Sequence, residues 1–318
     1  MAIAAAVALI VGLLATLLGQ GELWKPLAGV SSLTLVGLVV TSLGGLAIQS
    51  TQFETLGRIF GLRLRPAEAL GLTCVNNMMS YSVPGHGGTL VRAAYLRQVH
   101  RLPLAGYAAL TVSSNVCILT VVALAGAVLA PGSTAGGTVG GRVSLVMLTA
   151  PVVLLGGLWA VARLAGAGRR IARLARHAHA FGRGLASWRH HAALGMRFAV
   201  LSLGVFAAHG LRLAVALAAV GASATIADAL VIQAAVALAA VMAFTPGNLG
   251  TKEGVVALMG STLGIDPSLA LLAALIDRAV AVAEALGGGM IFSRTLLHGI
   301  SRSGPSTGAR HVSDAGGD

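Results

Sequence analysis

The strongest constraint on this fold is a short phrase that occurs twice within apolar sequence. It reads Pro-Gly-His-Gly-Gly-Thr at residues 84–89 and Pro-Gly-Asn-Leu-Gly-Thr at residues 246–251. Proline and glycine interrupt helices, and inside a lipid bilayer an interrupted helix leaves backbone N–H and C=O groups without water. Such a break is tolerated only where it is buried in protein or lines a polar cavity. Two breaks in corresponding places predict a membrane protein built from two related halves around a central site.

Long apolar stretches place these breaks in a membrane. Hydrophobic residues make up 56% of the chain and charged residues only 10%, unlike the composition of soluble domains. About 20 apolar residues cross the hydrocarbon layer as a helix. We therefore predict an all-α, polytopic integral membrane protein with about six spanning helices, at residues 3–20, 29–49, 103–130, 143–162, 197–220 and 268–293. The first helix is expected to be retained, because it lacks the basic flank and clear cleavage site of a signal peptide.

The distribution of positive charge predicts the orientation of the chain. If the N-terminus is cytoplasmic, 17 of the 22 Lys and Arg residues fall in four segments on the cytoplasmic side. These segments are 58–65, 92–101, 163–197 and the tail after residue 293. The positive-inside rule then predicts a multi-pass protein of the cell membrane with both termini in the cytoplasm. The basic loop 163–197 has eight arginines and no acid. It either lies as an amphipathic helix on the anionic inner leaflet or only sets the topology.

The two breaks are predicted to lie in re-entrant helical hairpins. Residues 66–83 are apolar, but the stretch that follows them carries three arginines, which a full span would bury at high cost. In the second half, residues 253–265 are too few to span. The first hairpin would thus enter from the cytoplasm and the second from outside, which is an inverted-topology repeat.

The domain organisation follows from these predictions. We expect one membrane domain over residues 1–295 and no soluble domain. Its first half covers about 29–130 and its second half about 197–293. The Ser- and Gly-rich segment 296–318 is expected to be a disordered cytoplasmic tail.

The residues around the two breaks resemble the signatures of a known family. The patterns are Pro84-Gly-x-Gly-Gly-x-x-x-Arg92 and Pro246-Gly-x-x-Gly-x-x-Glu253-Gly254. They are similar to the paired signatures of the lysylphosphatidylglycerol synthase transmembrane-region family, also called flippase-like domain proteins. The resemblance covers roughly residues 5–295. It implies an inner-membrane protein that moves or modifies anionic or glycosylated lipids.

The first half departs from the family pattern. Thr89 stands where members usually have an acid, and Ser114-Asn115 replaces a common acid-arginine pair. The second half keeps such a pair, Asp277-Arg278. The resemblance therefore implies that the main site lies at the second break. The soluble aminoacyl-transferase domain of full synthases does not follow residue 295, so we do not expect this chain to synthesise an aminoacylated lipid.

Glycines and buried charges define the candidate binding residues. Free N–H groups at a helix start attract phosphate, and arginine holds it through paired hydrogen bonds. Ionisable residues within apolar helices should face the protein interior, because a central arginine costs about 3 kcal/mol in lipid. We expect Arg278 to reach Glu253, Glu284 to share a helix face with Asp277, and His209 to share one with Arg212. The predicted headgroup-binding residues are Pro84, Gly85, Gly88, Arg92, Arg97, His209, Arg212, Pro246, Gly247, Gly250, Lys252, Glu253, Asp277, Arg278 and Glu284.

Less specific interpretations of these residues stay open. The Pro-Gly phrases would then form only tight turns, and the arginines would only set the topology. Asp277 and Arg278 would only pair near an interface. The polar residues of the apolar helices either line the cavity or join helices by hydrogen bonds; they are Asn76, Asn77, Asn115 and Gln233.

The sequence favours lipid binding over catalysis. It has no catalytic Ser/His/Asp order, metal-binding cluster or nucleotide-binding motif, so we expect no enzyme, no metal and no cofactor. The net charge of +12 is accounted for by membrane orientation, and we expect no nucleic-acid partner. The leading hypothesis is a protein that binds or translocates the headgroup of a phospholipid or glycolipid. The alternatives are a non-transporting subunit that recruits a lipid-modifying or glycosyl-transferring enzyme, and a transporter of small anions.

Overall fold

The computed structural model describes residues 31–83, 87–134, 137, 140–149, 188, 190–240 and 245–302. The predicted helix 3–20, most of the predicted helix 143–162, most of the basic loop, and Pro84 and Gly85 lie outside the described residues. Within the described ranges the chain is helical and has no strand. The helices are α1 Ser32–Ile59, α2 Pro66–Ser82, α3 Gly87–Val99, α4 Leu104–Leu129, α5 Ala192–Ala219, α6 Ile226–Ala239, α7 Thr251–Thr262 and α8 Pro267–Arg302.

Local sequence explains where several of these helices begin. Ser31 caps α1, its Oγ accepting a hydrogen bond from the Thr34 N–H at 3.2 Å. Thr225 and Asp228 form a capping box at the start of α6. Helices α2 and α8 each begin with a proline, which is suited to a first helical turn because no N–H partner is needed there. The paired helices α2/α3 and α6/α7 flank the two Pro-Gly phrases.

Three helices in the described part of the chain are long and apolar enough to cross a membrane. They are Ser32–Ile59, Leu104–Gly132 and Ala192–Ala219. Helix α6, by contrast, is a shorter apolar helix of 14 residues. The prediction of an all-helical membrane protein is confirmed.

Two predicted boundaries were wrong, because polar residues continue both helices. Helix α1 does not end near residue 49 but runs to Ile59. Its polar residues Gln52 and Glu54 are buried, and they are paired with Ser202 at 2.7 Å and with Arg58 at 2.5 Å. Helix α8 continues to Arg302, so residues 296–302 are helical rather than a disordered tail.

Besides an apolar cluster that joins α4, α5 and α6 around Val122, Phe206 and Ala234, two further clusters lie at the two ends of the helix bundle. One cluster joins the start of α1 to the end of α5, the start of α8 and the mouth of the α6/α7 pair, by which we mean its open end, away from the Pro-Gly break. It includes Leu38, Leu217, Ile232, Val256 and Ala273. The other joins the end of α1 to the mouth of the α2/α3 pair and the start of α4; it includes Phe53, Leu72, Leu96, Leu110 and Phe198. The mouths of the two helix pairs therefore lie at opposite ends of the bundle.

The packing between the two halves follows a matched pattern. Helix α1 packs along α5, while α2 packs on α8 and α6 packs on α4. A glycine permits close approach at each of the latter contacts. A Cβ added at Gly289 of α8 would lie 2.5 Å from Met78, and one added at Gly126 of α4 would lie 2.7 Å from Ala234. The tips of both helix pairs are thereby held in the middle of the bundle.

Candidate functional site

The second Pro-Gly phrase forms a sharp break between α6 and α7. Gly247, Asn248 and Gly250 all have left-handed backbone conformations, with φ of 57°, 58° and 83°. Gly247 also lies against Tyr81 near the end of α2, where an added Cβ would be 2.3 Å from the ring. Only glycine combines this φ with this approach at low cost. The break is therefore packed against the tip of the first helix pair.

Arg278 of α8 holds the break in place. Its Nη1 donates to the carbonyl oxygen of Gly247 at 3.0 Å, and its Nη2 donates to that of Asn248 at 3.1 Å. Its Nε pairs with the Glu253 carboxylate. The other oxygen of Glu253 accepts the Gly250 N–H at 2.8 Å. The expected pairing of Arg278 with Glu253 is confirmed, and it satisfies backbone groups that the broken helix leaves free.

Asp277, the preceding residue, is the centre of a second ionic group. One of its carboxylate oxygens accepts a hydrogen bond from Arg212 Nε at 2.5 Å, and the other accepts one from Lys252 Nζ. Arg212 Nη1 donates to Ser42 Oγ at 3.1 Å and lies 3.7 Å from Glu284 Oε2, to which Ser42 also donates. Asp277 and Glu284 therefore share a face of α8, as predicted. The meeting of Arg212 and Lys252 on Asp277 was not predicted.

The charges of this cluster are balanced. Three cations, Arg212, Lys252 and Arg278, face three acids, Glu253, Asp277 and Glu284. Arg212, Arg278, Asp277 and Glu253 are all buried. Each of the three cations has an acidic partner within the cluster, and the Gly250 N–H at the start of α7 is bonded to Glu253.

The cluster borders a cavity of about 460 Å³ between the tips of the two helix pairs. We call it the charge-balanced cavity, after the cluster beside it. Lys252 and Glu284 are the most accessible of the six charged side chains, at 15% and 14% exposure. The polar lining also includes Gln49, Asn77, His209, Arg212, Gln233 and Asn248. His209 and Arg212 share a face of α5, as predicted. A cavity of this size and polarity can enclose a small polar group, and the charged side chains in its lining are Arg212, Lys252 and Glu284.

A family model described as "Lysylphosphatidylglycerol synthase TM region" matches residues 3–286. The chain belongs to this family. Membership confirms the resemblance of the two signatures and indicates a lipid-related role in a membrane. No curated protein and no solved structure matches the chain.

In this family member, the first-half residues line a different cavity. It measures about 560 Å³ and is lined by residues of α1 to α6, among them Thr89, Arg92 and Asn115. The two cavities share Gln49, Ala237 and Ala240 in their walls, and Asn77 Nδ2 donates to Gln49 Oε1 at 2.9 Å. Asn76 also lines this second cavity, which we call the Arg92 cavity. Of the predicted residues, Arg92 lines the second cavity, and the first is lined by His209, Arg212, Gly247, Lys252 and Glu284.

The remaining predicted residues have other positions. Arg97 is exposed and borders a small surface groove with Leu90 and Leu104, so it reaches neither cavity. Gly88 allows α3 to approach α2, since an added Cβ would lie 2.1 Å from the Asn76 carbonyl oxygen. Pro246 begins the one-turn helix of the second break. Within the described ranges, no three His, Cys, Asp or Glu residues are arranged to hold a metal ion.

Proposed function

We propose that this chain binds the headgroup of an anionic or glycosylated lipid in the cavity between the two helix-pair tips and moves it across the cell membrane. The observation that carries the proposal is the cluster of six ionisable side chains, three of which line that cavity: Arg212, Lys252 and Glu284. Charged groups inside membrane helices are expensive and are characteristic of substrate pathways. The acyl chains would stay in the bilayer while the headgroup passes through the cavity, as expected for a flippase-like protein.

The accessible members of the cluster suggest how a headgroup binds. Lys252 contacts Asp277 through a single ammonium group, whereas Arg212 is held by Asp277 and Ser42 together. Lys252 is therefore the cation best able to exchange its partner for a lipid phosphate. Glu284 and the neighbouring amides would accept and donate hydrogen bonds to headgroup hydroxyls. The buried pairs would keep their geometry during this exchange.

The packing of the two halves supports a two-sided mechanism. The contacts of α2 with α8 and of α6 with α4 are matched, and the two helix pairs open at opposite ends of the bundle. This arrangement is expected of re-entrant hairpins in an inverted repeat. On this proposal, both termini are cytoplasmic, and rocking of one half against the other exposes the cavity to each leaflet in turn. The chain performs no catalysis itself.

Reconstitution into liposomes tests this function. Tail-labelled phosphatidylglycerol would be incorporated with the purified chain, and a water-soluble quencher would report the label that reaches the outer leaflet. We expect the wild-type chain to make nearly all label accessible and Asp277→Asn to stop this movement. Asp266→Asn is the matched control, because Asp266 is an exposed aspartate of the turn before α8 and lies outside the cavity.

The same assay separates the alternatives. No movement of labelled phospholipid or glycolipid by the folded wild-type chain would overturn translocation and favour a subunit that recruits a lipid-modifying enzyme. Uptake of a water-soluble anion without lipid movement would instead favour a small-anion transporter. Equal lipid movement by wild type and Asp277→Asn would show that the charged cluster is not needed for translocation.

A further inference from the structure

Arg92 is a cation without an acidic partner in the described part of the chain. Its guanidinium carbon lies 3.8 Å over the Phe53 ring, and its Nη2 makes one long contact of 3.5 Å with the Leu72 carbonyl oxygen. Its Nε is buried and has no hydrogen-bond partner among the described residues. A buried N–H of a charged group without a partner carries a substantial desolvation cost. The side chain thus has hydrogen-bonding capacity that the protein itself leaves unused.

Two neutral side chains in the same cavity also have unused capacity. Thr89 precedes Arg92 by three residues, so the two side chains share a face of α3. Asn115 approaches from α4. No side-chain hydrogen bond of Thr89 or Asn115 occurs within the described residues. No acid is among the described residues that line this cavity. A hydroxyl, an amide and a guanidinium therefore surround one space with a single net positive charge.

The second half has acids at positions where the first half has none. There the acid Glu253 follows the Pro-Gly phrase and pairs with Arg278 of the next long helix, and α7 packs along α8. Counted from the proline of each phrase, Val91 in the first half takes the position corresponding to Glu253, and Asn115 takes that of Asp277. Helix α3 accordingly barely touches α4. The Arg92 cavity extends between these two helices.

We infer that the Arg92 cavity is a second binding site, for a phosphate group with a single negative charge, held by Arg92, Thr89 and Asn115. Arginine forms paired, charge-assisted hydrogen bonds with phosphate oxygens, and the two neutral groups add further donors. A zwitterionic headgroup would bring an ammonium for which the lining holds no acid. The site should therefore prefer monoanionic phosphodiesters to zwitterionic ones.

The inference deepens the proposed function and rests on it for the source of the phosphate. The Arg92 cavity adjoins the charge-balanced cavity at Gln49. A phosphate at Arg92 would thus lie beside the space proposed for the passing headgroup. The same chemistry is available in a free phosphate ion, so the experiment has one arm for each source.

Binding to the purified full chain in detergent tests the inference. The probes are dihexanoyl phosphatidylglycerol, dihexanoyl phosphatidylcholine and inorganic phosphate, with affinity measured by titration calorimetry. We expect phosphatidylglycerol to bind more tightly than phosphatidylcholine. Arg92→Gln should weaken its binding about tenfold or more, since hydrogen bonds to a charged group contribute about 1.5–3 kcal/mol each. Arg63→Gln, which removes an exposed arginine away from the cavity, should bind as wild type does.

A matched pair at Thr89 keeps the inference testable if Arg92→Gln fails to fold. Thr89→Glu places an acid on the same helix face as Arg92 and should abolish binding, whereas Thr89→Gln, similar in size but neutral, should retain most of it. Phosphate binding that depends on Arg92 without lipid binding would keep the site and assign it to a soluble anion. Unchanged affinity for phosphatidylglycerol and for inorganic phosphate in folded Arg92→Gln or Thr89→Glu would overturn the site. If headgroup movement still depended on Asp277 in that case, the proposed function would stand.

Discussion

At the scale of single residues, Asp277 is a buried carboxylate that compensates two cations. It accepts hydrogen bonds from Arg212 and Lys252, which come from two other helices, and it is only 1% exposed. Removing one partner of a buried ion pair leaves an uncompensated charge and costs about 3–5 kcal/mol. Here, removing the Asp277 carboxylate leaves two cations, Arg212 and Lys252, with less compensating negative charge. The stability of the folded chain should therefore depend strongly on this carboxylate.

A double-mutant cycle between Asp277 and Lys252 measures this dependence. Asp277→Asn alone should lower the free energy of unfolding by about 3–5 kcal/mol. Lys252→Gln added to it should restore part of the loss, because one of the two undercompensated cations is then absent. Thermal unfolding in detergent provides the measurement. Strictly additive losses in the double variant would show that the two side chains do not interact.

At the scale of helices, the second break depends on the backbone conformation of Gly247 and on its close packing against Tyr81. Its φ of 57° and its proximity to Tyr81 both oppose a side chain. Gly254, seven residues later in the same helix pair, has open space around its Cβ position and an ordinary φ. The two glycines therefore form a matched comparison of a required and a replaceable glycine.

We predict that Gly247→Ala destabilises the chain and that Gly254→Ala does not. Strain in the left-handed region costs about 1–3 kcal/mol, and the contact with Tyr81 adds to it. Alanine in an exposed helical position instead stabilises by about 0.5–1 kcal/mol relative to glycine. Melting temperatures of the two variants would decide the matter. Equal melting temperatures would contradict the role assigned to Gly247.

Much of the helical arrangement is predictable from local sequence. The Pro-Gly phrases mark both helix pairs, and the spacing of Glu253 and Arg278 relative to the second phrase predicts their pairing. The end of α1 is not predictable from hydropathy, because Gln52 and Glu54 have buried partners that sequence does not reveal. Arg212 and Lys252 lie 65 and 25 positions from Asp277 in the sequence, yet both bind its carboxylate. Such contacts depend on how whole helices pack.

At the scale of the whole molecule, the two halves have similar packing but different electrostatics. The second break is held by paired charges, whereas the first half has an arginine with no acidic partner in the described residues. The two resulting cavities adjoin at Gln49 in the middle of the bundle. This asymmetry gives a family member with one charge-balanced cavity and one cationic cavity along the proposed headgroup path.

The most direct test is an experimental structure of the full chain in nanodiscs that contain phosphatidylglycerol. The account predicts density for a lipid headgroup in the charge-balanced cavity, in contact with Lys252 or Glu284, with acyl chains leaving between helices into the bilayer. A structure in which lipid headgroups lie only at the membrane surface, and the cavity between the two helix-pair tips is closed by side chains, would contradict it.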